Sequence, residues 1–542
     1  MYRLFLFSVM YFIVTGQSCE KDEILQMQLP LVSSSIYTIP LYSDKDEHNI
    51  VDISIENAED REIELDKIFL NLSGTLDKKS NTSLEIIYQG SDKGVELNTI
   101  FGNTTSLNEE NVIKGKLPLG QGVHKFSVRL RTKGELDLKS NFKISELKLH
   151  VENFKSIDAL PQTSYTFRPC LKIRKKGEDN CDTYRIPGLV TTKKGTLIAV
   201  YDNRYNNAAD LQEHVDVGMS RSVDGGATWA PMKVIMDMGE WGGKPQNLNG
   251  IGDPCVLYDP NTSTIWVAGL WMSGLNTDKR LWRASSIGMN PNETGQFILT
   301  KSEDDGITWS SPINITSQIK DPNWQLLLQG PGKGITMSNG TLVFPAQFKA
   351  NIGAKALDGG EFTCHSTIVF SHDKGKTWQI GTGAKSNTTE AQVVELSDGS
   401  LMLNMRDDRN RTDKSSSNGR AVAVTRDLGK TWTVHPSSNG ALTEPNCMAS
   451  LISTELNIRG QNQRVLFFSN PNHHSKRSDM TIKMSLDEGQ TWPEKYHIKL
   501  NGEAGYGYSC LTMVDDKTLG ILYEGTKELY FQKISVQEMI IK

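Results

Sequence analysis

The chain has 542 residues, which is too long for one ordinary domain and predicts two or three folded units. Its 59 Lys and Arg residues stand against 64 Asp and Glu residues, and the formal net charge of -5 offers no basic footprint for nucleic acid. With 37% hydrophobic residues, the composition is that of a folded protein and excludes a collagen-like, coiled-coil or disordered chain.

Residues 1–18 carry the pattern of a secretory signal peptide, with a short basic start, the apolar run LFLFSVMYFIV and small or polar residues before Cys19. That run is too short to span a bilayer, and no later stretch approaches the roughly 18 apolar residues that a spanning helix needs. We therefore expect an exported protein, periplasmic, secreted or at the cell surface, with no integral membrane segment in the mature chain. Lipid attachment through Cys19 stays an open alternative, because Gly-Gln-Ser before it departs from the usual Leu-Ala-Gly.

Residues 23–153 predict a β-sandwich, because short strands with alternating apolar positions, such as VHKFSVRLRT, recur between turns. The stretch 154–166 carries a proline and polar residues, as is typical of a linker. The second domain then occupies residues 167–542.

Seven cysteines are too few for a disulfide framework in a chain of this length. Cys170 and Cys181 are close enough in sequence to form a disulfide, and buried free thiols are at least as good an interpretation. No CxxC or HExxH pattern occurs, and the adjacent His473 and His474 lack partners at metal-ligand spacing. We expect no catalytic metal and no cofactor.

One pattern, Ser/Thr-x-Asp-x-Gly-x-Thr-Trp, occurs five times in the second domain. The copies are SVDGGATW from Ser222, SEDDGITW from Ser302, SHDKGKTW from Ser371, TRDLGKTW from Thr425 and SLDEGQTW from Ser485. Their spacing fits a four-stranded blade plus variable loops, which predicts a propeller or an array. Asp can accept hydrogen bonds from backbone N–H groups, Gly supplies a positive φ, and Trp packs as an apolar plug. Because an active site needs different residues that converge once, we interpret the repeated Asp as structural.

Candidate chemical residues lie outside these repeats. Arg185 of DTYRIPGLV starts an apolar strand, so its side chain either faces an anion or carboxylate or reaches the surface. The loop YDNRYNNAADLQEHVD is polar and rich in Asn, as are many functional loops, although ordinary solvated loops have the same composition. Further charged or aromatic candidates, each weak when taken singly, are Glu390, Arg406, Arg477, Tyr506, Tyr508 and Glu524.

Taken as a set, YRIP, the five repeats (Asp boxes) and the order of the arginines, acids and tyrosine closely resemble the exo-sialidases (neuraminidases) of the bacterial and animal type. The resemblance covers roughly residues 165–542. It implies an all-β fold in which a six-bladed β-propeller follows the sandwich, with the site at one end of the central channel. It also implies a glycoside hydrolase that releases terminal sialic acid from sialylated glycoproteins, glycolipids or oligosaccharides. By analogy with modular glycosidases, the sandwich is expected to be carbohydrate-binding, with a structural spacer as the alternative.

The resemblance assigns a binding role to five residues by their position in each motif. Arg185 of YRIP, Arg406 of LNMR and Arg477 of KRSDM match the family's arginine triad. Arg204 of DNRY matches an additional binding arginine, and Asp253 of GDPC matches the aspartate that faces the 4-hydroxyl side of the sugar. Sialic acid bears a carboxylate at its anomeric carbon, which three guanidinium groups can bind through charge-assisted hydrogen bonds.

The resemblance assigns roles in the reaction to four further residues. Tyr508 of GYGYS matches the nucleophile, Glu390 of TTEAQ its partner, Asp210 the acid/base, and Glu524 of LYE the carboxylate that steadies the first arginine. A neutral phenol avoids the repulsion that a charged carboxylate would meet near the substrate carboxylate. Glycosidases with a tyrosine nucleophile are an exception among their class, and sialidases are the known case.

Three alternatives compete with hydrolysis. A trans-sialidase or a producer of an internal anhydro sugar would carry the same residue set. A non-catalytic sialic-acid-binding propeller lectin would lack Tyr508, Glu390 or Asp210, and all three are present. A propeller unrelated to sialidases would keep the Asp boxes without YRIP and the arginines.

Overall fold

The computed structural model describes residues 28–75, 82–94, 97–104, 107–132, 134, 136–152, 154–280, 283–458 and 460–540. The predicted signal peptide and Cys19 lie outside these residues. Among the described residues, no helix is long and apolar enough to cross a membrane. The regular secondary structure of the described residues is almost entirely β-strand, as the sequence predicts.

The N-terminal part contains two antiparallel sheets. The strands are β1 (Leu31–Ile36), β2 (Leu41–Tyr42), β3 (Glu47–Asn57), β4 (Ile63–Gly74), β5 (Thr82–Ser91), β6 (Thr99–Asn103), β7 (Glu110–Leu119), β8 (Gly122–Thr132), β9 (Phe142–Val151) and β10 (Ile157–Asp158). One sheet has the order β1-β3-β8-β5-β6 and the other β10-β9-β4-β7. Alternate residues of both sheets, such as Ile53, Leu70, Val128 and Leu149, point into one shared core. This arrangement is a β-sandwich.

The second part contains six sheets that follow one another along the chain. The first blade is β12 (Thr183–Thr191), β13 (Leu197–Arg204), β14 (Val215–Ser222) and β15 (Lys233–Met236). The second is β16 (Ile251–Asp259), β17 (Thr264–Trp271), β18 (Gln296–Ser302) and β19 (Ile313–Asn314), with β21 (Gly332–Lys333) at its inner edge. The third is β20 (Leu326–Gln329) and β22 (Ile335–Thr336), both paired with β23 (Leu342–Ala350), followed by β24 (Thr363–Ser371), β25 (Gln379–Ile380) and β26 (Lys385–Ser386).

The fourth blade is β27 (Thr388–Glu395), β28 (Leu401–Asp407), β29 (Ala421–Thr425) and β30 (Thr433–Val434). The fifth is β31 (Ser450–Ile458), β32 (Gln461–Pro471), β33 (Met480–Ser485) and β34 (His497–Asn501). The sixth is β35 (Ser509–Asp515), β36 (Thr518–Glu524) and β37 (Leu529–Ser535), and β11 (Pro169–Arg174) completes it. Two short helices, α1 (Thr316–Ile319) and α2 (Val536–Ile540), follow β19 and β37.

The innermost strands form a ring. Strand β12 of the first blade contacts β16 on one side and β35 of the last blade on the other. In the last blade, β11 from the start of the domain pairs antiparallel with β37 from its end. The two ends of the domain are therefore joined within one sheet, and the expectation of an all-β propeller with six blades is confirmed.

The Asp boxes lie at the turn between the third and fourth strand of five blades. In the first box, Asp224 accepts hydrogen bonds from the Ser222 hydroxyl and from the backbone N–H and hydroxyl of Thr228. The same bonds recur at Asp304, Asp373, Asp427 and Asp487. The sixth blade receives its fourth strand from the other end of the domain and has no such turn, which explains why six blades carry five boxes. The structural interpretation of the repeated Asp is confirmed.

Cys170 and Cys181 are buried free thiols, so the disulfide does not form. Cys170 lies in the core of the sixth blade, with its sulfur 3.8 Å from the Tyr523 hydroxyl. Cys181 packs in a different core cluster, between the first and last blades.

The N-terminal part also contributes a strand to the propeller. Strand β2 leaves the sandwich and pairs in parallel with β11, at the outer edge of the sixth blade. Tyr42 of β2 is buried in the core of that blade, where its ring lies 5.2 Å from the ring of Tyr530 and 5.0 Å from the Lys172 ammonium. The Tyr165 hydroxyl further donates to the backbone carbonyl of Leu500 in the fifth blade. The two parts of the chain therefore share a core as well as a covalent connection.

Tyr42→Ala is expected to destabilise the propeller, because it empties a buried aromatic position in the sixth blade. The loss should be about 3 kcal/mol, as for other buried aromatic truncations. A thermal unfolding scan would measure it, with Leu31→Ala in exposed β1 as the control. An unchanged midpoint in the Tyr42 variant would contradict a structural role of β2 in the propeller.

Candidate active site

The strand directions bring the candidate residues to one end of the propeller. Within a blade, the start of the first strand and the end of the second lie at the same end because the strands are antiparallel. The start of the first strand carries Arg185, Asp253 and Glu390, with Tyr508 directly before β35, and the end of the second carries Arg204, Arg406 and Glu524. Asp210 and Arg477 lie in the loops that follow β13 and β32, at this same end. The Asp boxes end the third strands and lie at the opposite end.

A β-bulge marks three of these positions. The pairing register shifts near the start of β12, β16 and β27. Within the shifts, Ile186, Asp253 and Glu390 have φ values of 59°, 56° and 38°. Such positive φ values are uncommon for residues other than glycine and indicate local backbone strain. Bulges re-aim side chains and are frequent next to active sites. Here they interrupt the alternation of the inner strands where the candidate residues lie.

The candidate residues meet at a cavity of about 240 Å³. Seven of the nine line it, namely Arg185, Asp210, Asp253, Glu390, Arg406, Arg477 and Tyr508. The other two lie behind it, Glu524 against Arg185 and Arg204 against Asp210. The structure therefore brings all nine predicted residues together.

Glu524 holds the first arginine and the tyrosine with one buried carboxylate. Its Oε1 accepts from Arg185 Nε at 3.1 Å and from the backbone N–H of Ile186 at 2.9 Å. Its Oε2 accepts from the backbone N–H of Tyr508 at 2.9 Å. Because Arg185 belongs to the first blade and Tyr508 to the last, this carboxylate connects the two blades at which the ring closes.

The Tyr508 hydroxyl donates a hydrogen bond to Glu390 Oε1. Arg406 Nη1 donates to Glu390 Oε2 at 2.5 Å and lies 3.3 Å from the Tyr508 hydroxyl. The Arg185 and Arg477 guanidinium groups lie 5.1 Å and 5.6 Å from the centre of the Tyr508 ring. A phenol, a carboxylate and three cations are thus packed within one cavity.

The electrostatic environment separates the protonation states of the phenol and the carboxylate. Burial and the Glu390 charge raise the pKa of Tyr508 well above its usual value, although the three arginines oppose this. Burial would also raise the pKa of Glu390, but Arg406 and the Tyr508 hydroxyl outweigh burial, and the pKa of Glu390 lies below its usual value. At neutral pH the pair is a neutral phenol hydrogen-bonded to a carboxylate, which is a base in position to accept the phenolic proton.

Glycine at position 507 allows the tyrosine to approach the third arginine. Gly507 has a φ of 88°, and a Cβ there would lie 2.9 Å from Pro471 and 3.2 Å from the Arg477 side chain. The neighbouring backbone carbonyl, that of Tyr506, accepts a hydrogen bond from Arg477 Nη1 at 3.0 Å. The glycine-rich GYGYS segment therefore positions Tyr508 and Arg477 together.

Asp210 is held by two arginines at the mouth of the cavity. Its Oδ1 lies 3.0 Å from Arg204 Nη1 and 3.4 Å from Arg185 Nη1, and 53% of its side chain is exposed. Burial acts to raise its pKa, but Arg204 and Arg185 outweigh burial, so the pKa of Asp210 lies below its usual value. At neutral pH Asp210 is therefore a carboxylate.

Asp253 lies in a more anionic environment. Its backbone N–H donates to Asp202 Oδ1 at 2.8 Å, and Asp202 in turn holds Arg204 through two hydrogen bonds. Burial, followed by the charges of Asp202 and Asp210, raises the pKa of Asp253 well above its usual value. A protonated Asp253 can donate a hydrogen bond as well as accept one.

Sequence reasoning missed the residues that support this site from behind. Arg420 and Glu444 form a fully buried ion pair at 2.9 Å, and Arg420 also donates to the backbone carbonyls of Glu390 and Cys447. Asp202, which anchors Arg204, was missed as well. A charged residue inside an apolar strand, as in IAVYDNR or NGRAVAV, was the available signal, because such a charge must find a partner when buried.

A cavity lined by three guanidinium groups beside a phenol–carboxylate pair has the chemistry that suits an anionic ligand, because guanidinium groups form charge-assisted hydrogen bonds with carboxylates. A BNR repeat-like domain matches residues 195–522. A sialidase from Bacteroides fragilis is 46% identical over 438 residues, covering 80% of this chain and 77% of that protein. The solved structure of the Hadza microbial sialidase Hz136 has a TM-score of 0.80 and 38% identity, covering 94% of this chain and all of the other. The leech intramolecular trans-sialidase, at 17% identity and a TM-score of 0.53 over 91% of this chain and 98% of that one, shares the fold.

These similarities define the class of enzyme as glycoside hydrolase. The chain belongs to the sialidase family. Its activity is hydrolysis of sialic acid linkages in sialylated substrates, and the alternatives of a non-catalytic lectin and of an unrelated propeller are set aside.

Glu524→Gln is expected to lower kcat/KM by roughly 10- to 100-fold, the equivalent of losing one or two hydrogen bonds to a charged group. The new amide would place an NH2 group against Arg185 or the Tyr508 backbone, where only an acceptor fits. Hydrolysis of an aryl sialoside measures the effect, and Glu455→Gln, in an exposed ion pair with Arg464, is the control. A change of less than twofold would contradict the bridging role of Glu524.

Proposed function

We propose that the protein is an exo-α-sialidase that removes terminal sialic acid with retention of configuration, using Tyr508 as the nucleophile. The observation that supports this most directly is the hydrogen bond from the Tyr508 hydroxyl to the ionised Glu390 within the arginine-lined cavity. The substrates are sialylated glycoproteins, glycolipids or oligosaccharides.

In the proposed complex, the substrate carboxylate binds to Arg185, Arg406 and Arg477. These side chains all lie close to the Tyr508 ring or hydroxyl, so an anion bound to them places the anomeric carbon close to the phenol. Charge-assisted and partly bidentate bonds fix both the position and the orientation of such an anion. Asp253, protonated, would donate to a hydroxyl of the sugar ring, and Arg204 would act through Asp210.

In the first step the Tyr508 oxygen attacks the anomeric carbon, and Glu390 accepts the phenolic proton. The bond from the anomeric carbon to the glycosidic oxygen breaks, and Asp210 delivers a proton to that oxygen. The product is a neutral tyrosyl glycoside and a free alcohol. In the second step Asp210 removes a proton from water as the water attacks the anomeric carbon, the bond from that carbon to the Tyr508 oxygen breaks, and Glu390 returns its proton to the leaving phenolate. Two inversions at one carbon retain its configuration.

The proton on Asp210 must be acquired when substrate binds. In the free protein, Arg185 and Arg204 lower the pKa of Asp210. A substrate carboxylate bound to Arg185 adds a negative charge close to Asp210 and competes for that arginine, and both effects raise the pKa of Asp210. Asp210 is therefore protonated in the complex, where the reaction needs a general acid.

The remainder of the glycan would lie on the outer side of Asp210. A second cavity of about 400 Å³ shares Asp210 and Asp358 with the first. Its walls are polar and include Arg280 and Gln325, which suit the hydroxyl groups of a sugar leaving group. The same space can admit water or an acceptor sugar, so product analysis is the measurement that separates hydrolysis from transfer.

Tyr508→Phe should lower kcat on a fluorescent aryl α-sialoside on the order of a thousandfold or more, since it removes the nucleophilic oxygen and keeps the ring. Tyr496→Phe, outside the site, is the matched control. Mass spectrometry of the wild type quenched with 2,3-difluorosialic acid should find one added sugar on the peptide containing Tyr508. Label on another residue, or normal turnover by the Phe variant, would refute the tyrosine mechanism. Folded wild type that binds sialic acid without turnover would refute hydrolysis itself.

Asp210→Asn should affect substrates in proportion to their need for an acid. Sialyllactose, whose leaving group is a poor one, should lose roughly 100- to 10,000-fold in kcat, whereas an aryl sialoside with an acidic phenol should lose far less. In the wild type, kcat on sialyllactose should fall as pH rises through the pKa of Asp210 in the complex, because the protonated acid is lost. The variant should lack this limb. Equal losses on both substrates would contradict the acid role.

We also propose that the division at residues 154–166 separates a sandwich from the catalytic propeller, and that the sandwich mainly supports the sixth blade. The pairing of β2 with β11 and the burial of Tyr42 in the propeller core favour this role over a free carbohydrate-binding module. Export through the predicted signal peptide would place the enzyme where sialylated glycans occur.

A further inference from the structure

The three arginines differ in the groups that hold them. Arg185 pairs with the Glu524 carboxylate, and Arg406 pairs with the Glu390 carboxylate. Among the described residues, Arg477 has no such ion pair and donates instead to two backbone carbonyls, those of Tyr506 at 3.0 Å and Asn446 at 3.3 Å. Its charge is therefore the least neutralised of the three.

Asn446 contacts two of the three arginines at once. Its side-chain oxygen accepts from Arg406 Nη2 at 2.9 Å, while its backbone oxygen accepts from Arg477 Nη2. These arginines come from the fourth and fifth blades, and Asn446 lies in the segment between them. One neutral residue thus sets the separation and orientation of two guanidinium groups.

Asn446 is itself held firmly. Its Nδ2 donates to the backbone carbonyl of Asp407 at 3.0 Å and to Asp408 Oδ1 at 3.3 Å, and only 7% of the residue is exposed. Its φ of 59° lies in the left-handed region, which Asn adopts more readily than most residues. Two residues earlier, Glu444 is anchored by the buried ion pair with Arg420.

We propose that Asn446 is a positioning residue that orients Arg406 and Arg477 for the substrate carboxylate and, being neutral, leaves their charge available to it. An aspartate would have nearly the same shape and would also accept from Arg406. Like glycine, it would lose the Nδ2 donor that holds the Asp407 carbonyl and Asp408, and its oxygen would face these two acceptors. Its negative charge, however, would itself pair with the arginines and so compete with the substrate carboxylate. This inference rests on the proposed function, because it takes the arginine cluster as the substrate carboxylate site.

The experiment compares Asn446→Asp with Asn446→Gly. Glycine tolerates the positive φ and keeps the backbone carbonyl that holds Arg477, and it removes only the bond to Arg406 and the side-chain anchor. We expect both variants to raise KM for an aryl sialoside and to weaken inhibition by free sialic acid. The aspartate should have the larger effect, on the order of tenfold or more, with a smaller change in kcat. Asn457→Asp, in the β31–β32 hairpin at the opposite end of the propeller, adds the same charge and should change neither quantity.

The order of the two variants tests the proposal. If glycine impairs binding as much as aspartate does, the neutrality of Asn446 plays no part and that half of the proposal fails; if glycine leaves KM and inhibition unchanged, the positioning half fails. If kcat falls while KM and sialic acid inhibition stay unchanged, Asn446 does not act through the carboxylate site. Thermal midpoints confirm that each variant is folded, and the glycine variant decides the positioning role if the aspartate variant does not fold. Calorimetry measures the binding of sialic acid without turnover. A failure of this inference can therefore be distinguished from a failure of the proposed hydrolysis.

Discussion

The buried carboxylate of Glu524 is the constraint on which the fold and the site both depend. It accepts hydrogen bonds from Arg185 and Ile186 in the first blade and from Tyr508 before the last, so it holds together the seam at which the ring closes. A buried carboxylate with a charged partner and two backbone donors is fully satisfied, and satisfied buried networks fix one geometry. The same carboxylate therefore both closes the propeller and places Arg185 beside the phenol.

The charged groups of the site lie in layers. Carboxylates behind the cavity, Glu524 and Asp202, hold Arg185 and Arg204, and the arginines of the site lower the pKa of Glu390 and Asp210. Tyr508 stays a neutral phenol in the same cavity because burial and Glu390 raise its pKa. A cavity lined by arginines can in this way hold both an ionised carboxylate and an uncharged phenol, since Arg406 lowers the pKa of Glu390 while burial and the Glu390 charge raise that of Tyr508.

The two ends of the propeller have different roles. The Asp boxes stabilise turns at one end with local hydrogen bonds, which requires only eight consecutive residues each. The other end carries long loops and strand ends whose side chains meet once, on the axis. The N-terminal part adds β2 beside β11, in the blade that closes the ring.

The sequence by itself determined the all-β class, the five box turns and the identity of the nine candidate residues, because a repeat pattern and short motifs are local. It did not determine why six blades carry five boxes, since that depends on β11 pairing with a strand some 350 residues later in the chain. Nor did it predict Asp202, Asn446 or the Arg420–Glu444 pair, or that Cys170 and Cys181 would be separated into different cores. Asp202 accepts a hydrogen bond from Asp253 of the next blade, and Glu444 and Asn446 hold arginines of the fourth blade from the segment that leads to the fifth, so only the packing of neighbouring blades brings these partners within hydrogen-bonding distance.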